Sequence, residues 1–347
     1  LALPLIGIGV FSLWGGLRFT VYAVPVAALS AVYLFYAAAQ WIELKAARIG
    51  VVALLTGAML YPNITHILGY KVPTVFTKQE VASLDRLSKI GTQKDYVLTW
   101  WDYGYPIWYY GHKNTIIDGA KHHHDNFIVS EILMTDSQLE AARLSRIAVE
   151  TYVESDYKKI ADTVFKNKKP DQLDPNAFLE TLKYGEATVP PATRDVYLYL
   201  PYRMMDIFPT VSVFSNLDLT SGQQYSQPFF YATARFQDSA GQINLGRGIV
   251  VDKQKGTVRL GQREVPLRAM YRVNVQRDGS VTFDQQPLRM DGALSLVYMA
   301  SYGKFLLVDE KMLRSTYVQM FVFGKYDETL FEPVISNPWV RIFRLKI

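Results

Sequence analysis

The sequence predicts a mixed fold: transmembrane α-helices followed by an extracytoplasmic α/β domain with an all-β insert. Three observations predict it. Residues 20–41 (TVYAVPVAALSAVYLFYAAAQW) carry no charged side chain. Between residues 77 and 200, helix-spaced and strand-like segments alternate. From 226 to 290, short strands recur at hairpin spacing.

As a helix, the uncharged run is about 33 Å long, enough to cross a bilayer core. Pro25 kinks it, which membrane helices tolerate. Residues 49–68 form a second, weaker span. A buried soluble helix fits the same residues, with Tyr61, Pro62 and Asn63 crowding one end. The loop between the spans carries Lys45 and Arg48, which the positive-inside rule assigns to the cytoplasm. Arg18 and everything after about residue 68 then lie on the outer side, which implies a multi-pass membrane protein with an extracytoplasmic C-terminal domain. The chain opens on Leu1, inside an apolar run, and reads as cut within a membrane segment.

Residues 1–68 are therefore expected to be the C-terminal part of a transmembrane domain, and 69–225 a mixed α/β core. Thr77 and Glu80 form a capping box ahead of helix-spaced Val81, Leu84 and Leu87. DYVLTW reads as a strand running into an aromatic stretch, and NTIIDG as another short strand. Thr135 with Gln138 is expected to cap a helix through about residue 155. Asp174 caps the next, with Pro175 at its first position. RDVYLYL is a strand, and Pro201 opens a short helix through YRMMDIF. Residues 226–290 form the β insert, with turns at Lys255-Gly256 and Asp278-Gly279. Residues 291–347 are expected to return to the α/β core, with strands LSLVYMAS and KFLLVDE, a helix near 310–322 and a last strand VRIFRLKI.

The formal charge of +5 over 347 residues is modest, and no Lys/Arg run resembles a nucleic-acid arm. With no Cys, the chain has no disulfide, no thiol nucleophile and no Cys-based zinc site.

The stretch TWWDYGYPIWYYG surrounds a single carboxylate, Asp102, with aromatic rings. Trp100 and Trp101 each offer one indole N–H donor, and ionised Asp102 offers only acceptors. Together they suit one small hydroxyl, taking its proton and donating to its oxygen. Such a site rejects a ligand lacking the hydroxyl by ~10⁴-fold, because its polar groups are left unpaired. On residue type alone, a strand end whose Asp caps a turn and whose Trp side chains pack the core fits equally. Arg18 after Gly15-Gly16 reads as an interfacial, snorkelling cation or as a phosphate ligand. KHHHDN (121–126) invites a metal, but adjacent His side chains rarely converge on one centre.

WWDYG (100–104) resembles the signature of oligosaccharyltransferase catalytic subunits of the bacterial single-subunit type. GGLRFTVYAVPV, DYGYPIWYY, DGAKH, DNF and VYLYLPYRMMDIF follow in the order those enzymes show. The resemblance covers nearly the whole chain and is weakest over the β insert. It implies asparagine-linked protein glycosylation: transfer of an oligosaccharide from a polyprenyl pyrophosphate carrier to Asn of Asn-x-Ser/Thr. It implies that Trp100, Trp101 and Asp102 bind the Ser/Thr hydroxyl two places beyond that Asn. It also implies that Met204 and Ile207, similar to a Met-x-x-Ile motif, lie on one helix face, Ile207 against the Thr methyl. One buried methyl is worth ~0.8 kcal/mol, or about fourfold for Thr over Ser. Arg18, Tyr105 and His122 are the implied contacts to the lipid pyrophosphate and sugar. The segment after Lys121-His122 looks one residue shorter than in the family, so the resemblance assigns no role to His123 and His124. The divalent ion of the family, Mg²⁺ or Mn²⁺, is expected to take its ligands from sequence upstream of Leu1, as is the residue reading the −2 position. The chain by itself is then a glycosyltransferase part without transfer activity. The competing class is a non-catalytic, membrane-anchored sugar-binding or assembly module, with the aromatics stacked on sugar rings.

Overall fold

The computed structural model describes residues 2–71, 74–121, 125–165, 174–184 and 187–347. They form two compact units, divided between Val75 and Phe76.

The first unit is helical. α1 (Ala2–Gly15) and α2 (Thr20–Ala39) join through a 3₁₀ turn, Leu17–Phe19, and α3 (Lys45–Gly69) follows. A Cβ on Gly9 would stand 2.2 Å from the Ala23 Cβ, so α1 and α2 approach where both residues are small. α2 and α3 have mean hydropathies of 1.8 and 1.5 and are long and apolar enough to cross a membrane. Apolar side chains such as Leu29, Tyr33 and Leu54 point outward on both, as helices in an apolar solvent require. Pro25 and Pro62 lie inside them. Lys45 and Arg48, expected in a loop, stand in the first turn of α3. Arg48 donates to Ile42 O (2.8 Å) and Gln40 Oε1 (3.0 Å), which satisfies connection groups that neither helix reaches.

The second unit, Phe76–Ile347, holds two sheets. Its first half runs α4 (Lys78–Ser88), β1 (Tyr96–Leu98), α5 (Gly104–Gly111), α6 (Asn126–Met134), α7 (Gln138–Glu154), α8 (Ile160–Phe165), α9 (Pro175–Tyr184), β2 (Val196–Pro201) and α10 (Phe208–Val213). The capping box at Thr77 and Glu80 is present as the sequence predicts. The cap of α7 is Ser137 and not Thr135: its side chain accepts from Glu140 N at 3.2 Å. Thr135 instead ends α6, a helix the pattern did not reveal, and its hydroxyl bonds the Glu140 carboxylate. NTIIDG forms only an isolated bridge, Asn114 to Tyr96, and no strand.

The β-rich half comprises β3 (Phe230–Thr233), β4 (Gln237–Ser239), β5 (Gln242–Gly246), β6 (Ile249–Asp252), β7 (Thr257–Leu260), β8 (Arg263–Val275), β9 (Val281–Pro287), β10 (Leu294–Met299) and β11 (Lys304–Asp309). α11 (Glu310–Arg314), a π-turn (Val318–Val322), β12 (Phe331–Ser336) and β13 (Val340–Leu345) close the chain. The π-turn stands where one continuous helix was expected.

One sheet has four strands in the order β1-β2-β13-β12, with β1 parallel to β2 and the other pairs antiparallel. All six β2 residues are buried, as in strands covered on both faces. The other sheet has nine strands, β3-β11-β10-β8-β7-β6-β5-β4, with β9 also paired to β8. It takes in β10 and β11, which the sequence reading had returned to the α/β core. Their apolar runs, VYM and FLLV, look alike in either sheet. Thirteen-residue β8 pairs β7 with its first half and β9 and β10 with its second, so the sheet curls. Ile243, Leu245, Val251, Val258, Leu296 and Leu307 fill the hollow. The Tyr231 hydroxyl donates to Leu245 O (2.8 Å), tying β3 to β5 across it.

Candidate functional site

The two motifs singled out in the sequence leave the same end of the four-stranded sheet. β1 and β2 are parallel neighbours, Tyr96 opposite Val196 and Leu98 opposite Leu198. WWDYG follows β1 and YRMMDI follows β2, so residues about a hundred apart in sequence emerge side by side. Crevices beyond the carboxyl ends of parallel strands are the usual ligand sites of such sheets.

After β1 the chain stays extended through Trp100 (φ −65°, ψ 148°) and turns at Trp101–Tyr103 as a 3₁₀ helix leading into α5. This turn sorts the aromatic stretch. Trp100 is 1% exposed, its ring 5.0 Å from Phe214 at the end of α10. Tyr103 is buried, 6.0 Å from Tyr199 of β2 and 6.4 Å from Phe76. Burial pushes the hydroxyls of Tyr103 and Tyr199 well above the ordinary tyrosine range. Trp101 is half-buried against the core, and Asp102 is exposed. Tyr105, Trp108 and Tyr109 on α5 face outward. One acid therefore stands where buried and exposed aromatic surfaces meet. Of the two indoles, Trp101 lies partly at the surface and Trp100 in the core.

Gly104 has a steric reason to be glycine. A Cβ there would lie 2.4 Å from Asp118 Cβ, 2.7 Å from Asp118 Cα and 2.9 Å from Ile117 O. The DGAK turn thus packs directly under the motif. Asp118 Oδ1 holds that turn, accepting from Ala120 N (2.8 Å) and Lys121 N (2.9 Å). The Tyr105 ring lies over Gly119. His122 lies outside the described residues.

After β2, Tyr202–Asp206 form a short 3₁₀ helix. Positions three apart eclipse in that geometry, so Met204 and Ile207 share a side. Met204 is fully buried, whereas Ile207, just past the last turn, is half-exposed. Arg203 Nε lies 2.9 Å from Glu80 Oε1 as an ion pair, although its N–H is not aimed for a hydrogen bond. The guanidinium sits 4.8 Å over the Phe76 ring. Glu80 also accepts from Thr77 N (2.7 Å), so one carboxylate joins the cap of α4 to the Met204–Ile207 turn. Asp206, which pattern alone passed over, pairs with buried Lys304 at 2.5 Å. Arg18 stands exposed on the 3₁₀ turn of the first unit, after Gly16 (φ 100°).

These features coincide with known families. A model of the STT3/PglB/AglB core domain matches residues 93–221, and one of the STT3/PglB C-terminal β-barrel domain matches 229–308. The crystal structure of the Campylobacter jejuni PglB C-terminal domain superposes with a TM-score of 0.68 and 32% identity, covering 77% of this chain and 100% of that one. The chain belongs to the STT3/PglB family. It is 35% identical over its whole length to the undecaprenyl-diphosphooligosaccharide–protein glycotransferases of two Campylobacter jejuni strains. It spans about half the length of the curated relatives it matches, 50% in each case. The second family match ends at Val308, within β11, in agreement with the observed extent of the curled sheet.

Members of the STT3/PglB family imply a divalent metal. Among the described residues, no three His, Asp or Glu side chains converge in a way that could hold one. The described residues do not fit the ion.

An acidic pair, Glu131 and Glu140, lies in a cleft of about 530 Å³ that Lys183 and Lys311 also line. Glu140 is fully buried, with its Oε1 unpartnered. Burial, and then the neighbouring Glu131 carboxyl, push Glu140 up to about 8. Burial raises Glu131 as well.

Proposed function

We propose that this chain serves asparagine-linked protein glycosylation as part of a membrane oligosaccharyltransferase. The enzyme moves an oligosaccharide from a polyprenyl pyrophosphate carrier to Asn of Asn-x-Ser/Thr. The observation that carries the reading is the parallel β1–β2 pair, which sets WWDYG beside the Met204–Ile207 turn in a chain of this family. In this reading, ionised Asp102 accepts the proton of the Ser/Thr hydroxyl two places past the Asn, and the Trp101 indole donates to its oxygen. Trp100 backs the pair from the core and presents at most its edge. Ile207, half-exposed, meets the Thr methyl, and buried Met204 supports it from below.

The donor side rests on Arg18, Tyr105 and His122. Planar guanidinium suits pyrophosphate oxygens, and Arg18 sits exposed between α1 and α2. The second unit would face the periplasm, with α2 and α3 in the inner membrane. The divalent ion this reading implies is Mg²⁺ or Mn²⁺.

The test is a titration of the full chain, in detergent, with a labelled Asp-x-Asn-x-Thr peptide and its Thr→Ser and Thr→Ala forms. Loss of the hydroxyl should weaken binding by orders of magnitude, and loss of the methyl by about fourfold. Equal affinity for the Thr and Ala peptides, with competition by free glycan, would point to a sugar-binding module instead.

A further inference from the structure

β3, at one end of the nine-stranded sheet, has one neighbour, β11, among the described residues. Phe229 O accepts from Asp309 N at 3.0 Å, the first bond of that antiparallel ladder. Antiparallel pairing turns both polar groups of alternate residues to the same side. Phe229, Tyr231 and Thr233 therefore face β11. Phe230 and Ala232 turn their N–H and C=O groups the other way, into a cleft of about 900 Å³. Met205, Asp206 and Pro209, which bracket Ile207, form part of its wall. An unpaired strand edge is a template for an extended chain.

The cleft has a sign. Arg235, Arg247 and Lys304 line it, against Asp206. Asp206 is taken up by Lys304, at 2.5 Å. Arg235 and Arg247 form no ion pair among the described residues, which leaves two cations for an incoming chain. Arg247 is also held at a disfavoured backbone angle. Gly246 pairs with Ile249, so Arg247 (φ 51°) and Gly248 (φ 76°) make a two-residue hairpin turn with both φ positive. Such turns favour Asn, Asp or Gly. A strained Arg on the rim of a cleft points to a use for its side chain.

The cleft is close to the acceptor site. α10 connects them, with Phe214 at its end against Trp100 and Phe208 at its start 5.6 Å from Phe230. A six-residue helix is about 9 Å long, a distance that about three residues of extended chain cover. The amide to be modified lies N-terminal to the gripped Ser/Thr, so the flank left to run along α10 is the C-terminal one.

We propose that the outer edge of β3 binds an extended, acidic segment of the acceptor chain on the C-terminal side of its sequon. The segment adds as a strand beside Ala232, and Arg235 and Arg247 read its carboxylates. This rests on the acceptor-site reading above.

The test uses the full chain and labelled Asp-x-Asn-x-Thr peptides that carry an acidic or a lysine-rich tail after the sequon. A third peptide carries the acidic tail before the sequon, and an Ala-for-Thr version accompanies each. The acidic C-terminal tail should bind about tenfold tighter than the basic one at low salt. The double variant Arg235→Glu, Arg247→Glu should reverse that preference and leave the Thr-over-Ala ratio unchanged. Ala232→Pro removes one outward N–H at an edge position that tolerates proline, and should cut the gain from the acidic tail about fivefold. Equal binding of acidic and basic tails, a gain that survives the double variant, or an equal gain from the N-terminal tail would overturn the proposal. If the Thr-over-Ala ratio persists in those cases, the acceptor-site reading stands. If the ratio is absent, that reading fails and takes the proposal with it.

Discussion

The two sheets of the second unit make opposite use of their surroundings. β2 is buried at every position, between layers that cover both faces of its sheet. β5 alternates exposed and buried, with one face on the small core of the curled sheet and one in solvent. The first arrangement gives rigid strand ends and a corner that can hold side chains in fixed directions. The second leaves an edge with unspent backbone groups. Recognition of one chemical group suits the corner, and recognition of an extended backbone suits the edge.

The largest expected effect breaks the buried sheet. Arg146 and Glu150 form an ion pair at 3.0 Å, with side chains 2% and 1% exposed. Arg146 also donates to Ile347 O (2.9 Å) and Arg194 O (2.7 Å), and Glu150 accepts from Thr193 N (3.0 Å). The pair fastens α7 to the entry of β2 and to the last residue of the chain. Glu150→Ala leaves a buried guanidinium without its carboxylate and should cost about 3–5 kcal/mol in urea melts. The curled sheet's Lys304 is also buried and ion-paired, but its partner Asp206 is exposed, so that tie is weaker.

Gly104→Ala comes next. The added methyl would collide with Asp118 and Ile117 backbone and side-chain atoms, none at the end of a flexible chain. Overpacking of this kind costs about 1–3 kcal/mol. Binding of the Thr peptide should fall as the motif is displaced, with the curled sheet unchanged by hydrogen exchange.

The effect of pH is smaller per unit. Glu140 is raised from 4.5 to about 8, so between those values the folded chain keeps a proton that the unfolded chain has released. Stability is therefore highest at the acid end of that window and falls as pH rises through it, by at most about 1.4 kcal/mol per pH unit for one proton. Glu140→Gln should flatten the slope in denaturant melts at stepped pH.

The sequence made some of this legible and hid the rest for physical reasons. The capping box at Thr77 and the cap at Asp174 are local, and both stand as read. WWDYG was visible because Asp102 is out of place among aromatics. The parallel β1–β2 pairing that gives the motif its partner links residues about a hundred apart and leaves no local signal. Burial of Trp100 and Met204 was likewise hidden, since an apolar motif residue reads the same at a surface as beneath it. α6 escaped because FIVSEILM is buried nearly all round and shows little period. That β10 and β11 join the nine-stranded sheet left no local signal either, because an apolar run names no partner.

The central claim is that Asp102, at the end of β1, takes the hydroxyl of the acceptor Ser/Thr. A double-mutant cycle tests it most directly, pairing Asp102→Ala in the full chain with Thr→Ala in the Asp-x-Asn-x-Thr peptide. The account predicts that once Asp102 is gone, removing the hydroxyl costs far less, a coupling of about 2 kcal/mol. Additivity of the two changes to within about 0.3 kcal/mol would contradict it.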